Sequence, residues 1–277
     1  IAAIRSRKEL AEVLSGFQRL GRPFGSNNGV VVGAFRLTSG ADPAHPSRVI
    51  ARVVERDGAG RVPSSILSLP DRDYYFKTDA KSKDVRDAFL LHVAKMLELT
   101  GTAPAAAQEQ AKTIMAFETA LAEPVMNNAD RRDPDKVYHL MDLAALNALT
   151  PDFDWAQQLR AVGLPRSTPV NVGEPALLKT FNAQLAAAPL DGWKLWLRWR
   201  TLTIAAPYLS APIASEDRRF SGGVLNGVQE ARPRWQTCAS VVDGDLGDAL
   251  GQAYVEKYFP PEARRRIRWS SWSKARG

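Results

Sequence analysis

Residues 191–209 leave the fold the least freedom. Asp191 is followed by Trp193, Leu195, Trp196, Leu197, Trp199, Leu202 and Ile204, so apolar side chains fall on every side of a helix. A helix that is apolar all round has to be buried, and burying it takes a shell of other elements. Asp191 reads as its cap, and Arg198 and Arg200 punctuate it. Arginines beside a tryptophan cluster also suit base stacking, but without a basic surface around them core packing is the better reading.

The rest of the chain supplies that shell. Helical spacing of Ile4, Leu10, Val13, Leu14 and Phe17 predicts a helix over 5–20, with Gly21 as its stop. Val85, Phe89, Val93, Met96 and Leu97 predict one over 83–99, with His92 beside the stripe as a packed or surface histidine. Pro104 opens a helix over 104–123. There Ile114, Phe117, Ala120 and Leu121 face inward, and Glu118 falls among them. A carboxylate in that position needs a partner such as an arginine. Asp133-Pro134 reads as a cap followed by a first helical residue, predicting a helix to about Ala148 through Val137, Leu140, Met141 and Leu146. Within it Asp142 begins a second small pattern, and Thr150-Pro151 breaks the run. Phe153-Asp154-Trp155 opens a short helix, Val170–Val172 is a brief extended piece, and 175–187 is helical. Residues 217–228 read as a polar, glycine-containing loop with room for a short helix. A last helical run reaches Phe259, with Ala249, Leu250, Ala253 and Tyr254 as a close-packing face, and Pro260-Pro261 stops it.

Only the N-terminal region reads as β. Val30–Leu37 and Arg48–Glu55 are turn-bounded, β-branched runs joined through Thr38–Ser47, predicting a hairpin with a long loop. The fold class expected is therefore mainly α, a multi-helix domain with one small β-hairpin near the N-terminus. Gly58 and Gly60 make no dinucleotide fingerprint, since no helix start follows them.

Charge and rare residues narrow the function. The formal net charge is +7, but Arg264–Gly277 carries six Lys/Arg and no Asp/Glu. Without that stretch 31 basic residues stand against 30 acidic ones. The basicity belongs to a tail, not to a distributed face of the kind a nucleic-acid binder shows. A single cysteine, Cys238, permits no intrachain disulfide. His45, His92 and His139 lie beyond helical reach of one another. The chain holds no His-Glu-x-x-His pair, Walker loop or Gly-x-Ser-x-Gly elbow. No apolar run approaches the roughly 20 residues that span a bilayer. The first residue is Ile1, which suggests a cut from something longer.

One polar, aromatic stretch stands apart, Leu69-Pro70-Asp71-Arg72-Asp73-Tyr74-Tyr75-Phe76. Pro70 limits the backbone, Asp71 can cap the next turn, and Arg72 can pair with Asp71, Asp73 or a carboxylate elsewhere. A capped turn with aromatics packed inward outweighs a carboxylate pair doing acid–base chemistry, which would need a cleft.

That octapeptide resembles an element of the neprilysin and endothelin-converting-enzyme family of zinc metallopeptidases, most closely its bacterial branch. Further stretches agree in order. Phe117–Ala122 resembles the family's glutamate-bearing helix. Arg131-Arg132-Asp133-Pro134 through Tyr138, ending at Phe153-Asp154-Trp155, is similar to its next segment. Arg234-Trp235-x-x-Cys238 with Gly251-x-x-Tyr254-Val255-x-x-x-Phe259 is similar to the end of its N-terminal domain. The chain departs where Ser65, Ile66 and Ser68 replace glycines, in the hairpin region 26–62, and after Pro261-Glu262-Ala263.

The resemblance implies a helix-rich N-terminal domain over 1–263, capping a chamber for short peptides, and a non-family, disordered tail over 264–277. It implies Asp71, Arg72, Asp73, Tyr74, Glu118, Arg131, Arg132, Asp133, Trp155, Arg234, Trp235 and Cys238 as structural motif residues, not catalytic ones. It implies zinc in a C-terminal catalytic domain of the same polypeptide and none in this chain. Cys238 matches a cysteine that several members pair with one in that domain. A periplasmic or extracellular setting is implied too. The abrupt tail predicts a reading frame cut short before the active site and a chain inactive alone. The alternatives are a non-enzymatic helical module that binds a peptide or protein, and nucleic-acid binding by the tail.

Overall fold

The computed structural model describes residues 1–19, 35–54, 66–127, 129–228, 230, 233–259 and 262. Gly21, residues 30–34, Gly58, Gly60, Pro260-Pro261 and the tail 264–277 lie outside the described residues, as does what was expected of them. Internal packing divides the chain into two units, Ile1–Pro23 with Asn28–Ala231, and Phe24–Asn27 with Arg232–Gly277.

The first unit is built mostly of helices: α1 (Arg7–Arg19), α2 (Asp73–Phe76), α3 (Ala80–Leu99), α4 (Pro104–Ala122), α5 (Leu143–Leu149), α6 (Trp155–Ala161), α7 (Pro175–Ala187), α8 (Leu190–Ala205) and α9 (Ala211–Arg218). Their starts follow local chemistry. Asp79, Asp142 and Asp154 accept hydrogen bonds from the backbone N–H of Ser82, Ala145 and Gln157, capping α3, α5 and α6. Pro104 and Pro175 open α4 and α7. α3 ends at Gly101, whose φ of 92° a side chain would oppose. The expected cap Asp191 is not one, since Pro189 precedes α8 and Asp191 sits in its first turn.

α8 lies in the middle, as its composition requires. Trp193, Trp196 and Trp199 are fully buried, and α4 packs between α8 and α3. Trp193 meets Phe117, Phe181 and Trp196 edge-on, at centroid distances of 4.8, 5.3 and 5.7 Å. A second aromatic group gathers Phe35, Phe153, Trp155 and Phe181, with Phe35 stacked on Trp155 at 5.5 Å.

The hairpin is present, but its first strand takes in Thr38–Ala41 of the expected loop, and it belongs to a larger sheet. Strands β1 (Arg36–Ala41) and β2 (Val49–Val54) pair antiparallel, Arg36 opposite Val54 and Ala41 opposite Val49. Buried Asp42 closes their loop by accepting from Arg48 and from the Ala44 N–H. Two short strands, β3 (Leu140–Met141) and β4 (Val170–Val172), complete the order β1-β2-β4-β3 among the described residues, with β2 and β4 parallel.

β3 overturns the helix expected over 134–148. Asp133 caps no helix; it follows a 3₁₀ turn at Asp130–Arg132. Asn171 on β4 accepts from the His139 N–H at 2.7 Å and donates to the Val137 carbonyl at 3.1 Å. Those bonds take up backbone groups a helix would need, and the helix begins only at α5, capped by Asp142. The loop expected over 217–228 is also revised: α9 runs on into a π-helix over Arg219–Val224.

The second unit contributes α10 (Arg234–Tyr258). Its expected close-packing face is not covered: Ala249, Leu250, Ala253 and Tyr254 are exposed.

Candidate functional site

Glu118 sits in the middle of α4 with its carboxylate fully buried. Three donors reach it. Ser68 gives its N–H at 2.9 Å and its hydroxyl at 2.7 Å, and the Tyr75 hydroxyl donates at 2.7 Å. Tyr75 in turn accepts from the Leu69 N–H at 3.0 Å, and the Trp199 indole donates to the Ser68 hydroxyl at 2.9 Å. Arg200, 1% exposed, supplies the countercharge. Burial pushes the Glu118 carboxyl up, and Arg200, Ser68 and Tyr75 pull it back. Burial raises the Tyr75 phenol well above its usual range, and it lowers Arg200. The arginine partner that an inward carboxylate demanded is thus supplied by α8. This is a filled joint tying the octapeptide to α4 and α8, with its oxygens already committed to protein donors.

The octapeptide's charged residues lie on its outer side. The Asp71 carboxylate accepts from the Asp73 N–H at 3.0 Å, so it caps an Asx turn ahead of α2. Arg72 reaches the Glu123 carbonyl at 3.3 Å, lies 3.7 Å from Asp73 and stands over the Phe76 ring at 5.3 Å. Asp73 pairs with Lys77 at 2.8 Å, and the Tyr74 carbonyl accepts from Arg86 at 2.7 Å.

A second joint lies alongside. Arg131 holds buried Glu174 at 2.8 Å, and Glu174 also accepts from the Met126 N–H at 2.7 Å. Leu69, Pro70, Asp71 and Arg72 meet Arg131 and Glu174 around a cavity of about 10 Å³, room for one water. The structure thus brings Asp71, Arg72 and Arg131 to one place. Arg132 is exposed nearby, and Asp133 accepts from the Asp135 N–H at 3.1 Å. Trp155 is buried elsewhere, its indole donating to Thr150 at 2.6 Å. Arg234, Trp235 and Cys238 all lie on α10, where Trp235 is 69% exposed and the Cys238 thiol is free and exposed.

Sequence reasoning did not single out Ser68, Glu174 or Glu216. In the sequence Ser68 shows only as a replaced glycine, and a carboxylate before a proline, as Glu174 is, looks like an ordinary helix start.

The described residues offer no ligand set that fits a zinc ion. Among the described residues no group of three or more His, Cys, Asp and Glu is arranged to hold a metal. His45 is exposed on the β1–β2 loop, His92 is buried on α3 beside Glu216, and His139 bonds the Val172 carbonyl. A groove of about 640 Å³ between α1 and α6 is lined by exposed charges of both signs, including Arg7, Glu12, Asp152 and Arg160. Among the described residues no helix is long and apolar enough to cross a membrane.

Comparison with known proteins gives this arrangement its relatives. The N-terminal model of Peptidase family M13 matches residues 1–268. Endothelin-converting enzyme 1 of Rattus norvegicus and of Homo sapiens is each 26% identical over 209 residues. Those alignments cover 74% of this chain and 27% of the relative, so the chain spans about a quarter of the length of these relatives. The zinc metalloprotease Zmp1 of Mycobacterium tuberculosis in its open state is similar over 96% of this chain and 38% of its own, with 31% identity and a TM-score of 0.82. PepO from a Lactobacillus shares the fold at a TM-score of 0.74 and 19% identity.

Proposed function

We propose, from the premise that this chain belongs to Peptidase family M13, that it supplies the helical, non-catalytic domain of a zinc metalloendopeptidase and has no peptidase activity of its own. The observation that carries the reading is the kind of site the chain contains. Two of its motif residues are spent on joints, Glu118 with Ser68, Tyr75 and Arg200, and Arg131 with Glu174. The buried Glu118 carboxylate, already held by its donors, is not open to act as a general base. The 277 residues hold no His-Glu-x-x-His pair either.

In the complete enzyme the zinc, its activated water and the catalytic carboxylate belong to a C-terminal domain of the same polypeptide. Short peptides are cleaved in the space that the two domains enclose. Residues 1–263 form the family domain, and 264–277 a basic tail. A periplasmic or extracellular setting follows from the same family reading.

The test is direct. The 277-residue chain is incubated with an internally quenched short peptide and added zinc, and no turnover above the blank is expected. Turnover that a chelator abolishes would overturn the reading.

A second reading, a non-enzymatic module that docks on a protein, is favoured by one observation. α10 exposes Trp235, Val242, Leu246, Leu250, Tyr254 and Tyr258. Under the first reading the same stripe awaits the rest of an M13 polypeptide, and under the second it awaits another protein. Purified catalytic domain binding the chain in trans, lost on Leu246→Asp, supports the first. Absence of binding to that domain supports the second.

A further inference from the structure

α9 and the π-helix that continues it, Ala211–Val224, lead the chain out of the first unit, and their hold on α3 is concentrated in a few side chains. Ile213 and Phe220 are the buried apolar anchors among the described residues of this segment. A polar hold among the described residues is the bond from His92 Nδ1 to Glu216 Oε1 at 2.8 Å. The His92 ring lies flat on Phe220, at 4.5 Å and 10°, and edge-on to Trp199 at 5.6 Å. Arg219 grips the same Glu216 with two nitrogens at 2.7 Å. From Arg219 to Val224, across Gly222 and Gly223, the turns are widened to π geometry, and Gly227 follows with φ 66°. π-turns cost regular hydrogen bonding and gather at functional sites.

We propose that residues 211–224 form a strap that opens from α3 as one unit, with His92 and Glu216 as its catch and the glycine-containing π-turn as its hinge. Phe220 also lies 5.7 Å from buried Phe89 of α3, but the core around Trp193 and Trp196 does not depend on the strap. Trp193 and Trp196 pack against α4 and α7 side chains, so a strap that lifts leaves them buried. Opening of this kind is a sub-global unfolding, with a free energy below that of the whole unit.

The groups at the catch set its response to pH. His92 faces Glu216 and Arg219 from the strap, the Phe220 ring, and the Trp199 ring of α8. Asp217 is influenced by Arg218 and Glu216. Burial holds the His92 imidazole below its ordinary value. Burial raises Asp217 from 3.8 to about 6, while Arg219 and His92 lower Glu216 to about 2 against the push of its own burial. A histidine lowered in the closed state favours opening as pH falls below 6.5. A carboxyl raised in the closed state favours opening as pH rises through 6. These two oppose each other, and Glu216, lowered in the closed state, favours opening as pH falls below 4.5.

Native-state hydrogen exchange on the 277-residue chain tests this. Amides of the strap are expected to open at lower denaturant cost than those of α4 and α8. Glu216→Gln should speed strap exchange about tenfold or more while leaving α4 and α8 unchanged. His92→Phe keeps the stack and should do the same. Asp217→Asn should slow strap exchange about tenfold at pH 7.5 and have no effect at pH 3.5. Strap amides that exchange only with global unfolding, in the wild type and in Glu216→Gln, would overturn the proposal. So would an Asp217→Asn effect that is independent of pH.

Discussion

The hydroxyl of Tyr75 does two jobs, accepting from the Leu69 N–H and donating to Glu118. Tyr75→Phe therefore orphans a buried N–H and strips a donor from a buried carboxylate. A cost of about 2–4 kcal/mol is expected in urea unfolding. Glu118→Ala should cost about 3–5 kcal/mol, because it leaves Arg200 buried without its countercharge. The two losses share partners, so the double variant should cost less than their sum, and a double-mutant cycle measures the difference. Additive losses would mean that Tyr75 acts through packing alone. Glu118 shows how far one residue is legible in a sequence. A carboxylate inside an apolar helical face announces a buried partner. Nothing in the spacing says that the partner stands on α8, because Arg198 and Arg200 read alike there and only Arg200 is turned inward.

Helices with strong periodicity and a local cap were legible as elements. α3, α4 and α7 begin and end within three residues of their expected bounds. Residues 134–148 were not, for a reason outside that segment. Asp133-Pro134 is a good start signal, but Asn171, some thirty residues on, draws 137–139 into a strand arrangement. Tertiary pairing overrides a local cap when a sheet edge is waiting. The four-stranded sheet escaped for the same reason, since two- and three-residue strands carry no periodicity to read. This ranking of the two aspartates can be measured. Asp142→Ala removes the bond to the Ala145 N–H and should cost about 1 kcal/mol. Asp133→Ala removes only an exposed turn bond to Asp135 and should stay within about 0.5 kcal/mol. Equal losses in chemical denaturation would restore Asp133 as a helix cap.

For the whole molecule the unresolved balance is apolar surface. The first unit spends its large side chains on a core, whereas α10 carries apolar residues at 242, 246, 250, 254 and 258, four apart and all exposed. Helices in proteins draw most of their stability from packing such a face, and each side chain left out forgoes about 1.5–3 kcal/mol of burial. Tyr254 and Tyr258 partly cover each other, with centroids 5.1 Å apart, but two rings do not shield a 25-residue helix. The 277-residue chain is therefore expected to bind a hydrophobic dye and to self-associate as its concentration rises. Leu246→Asp with Leu250→Asp should remove most of the dye signal and shift sizing toward the monomer. Both positions are exposed, so the unfolding midpoint of the first unit should barely move, by less than about 0.5 kcal/mol. If the dye signal survives the double substitution, the sticky surface lies elsewhere and α10 loses its place as the docking element. If the substitution instead destabilises the first unit, the stripe is buried in solution and offers no partner a surface.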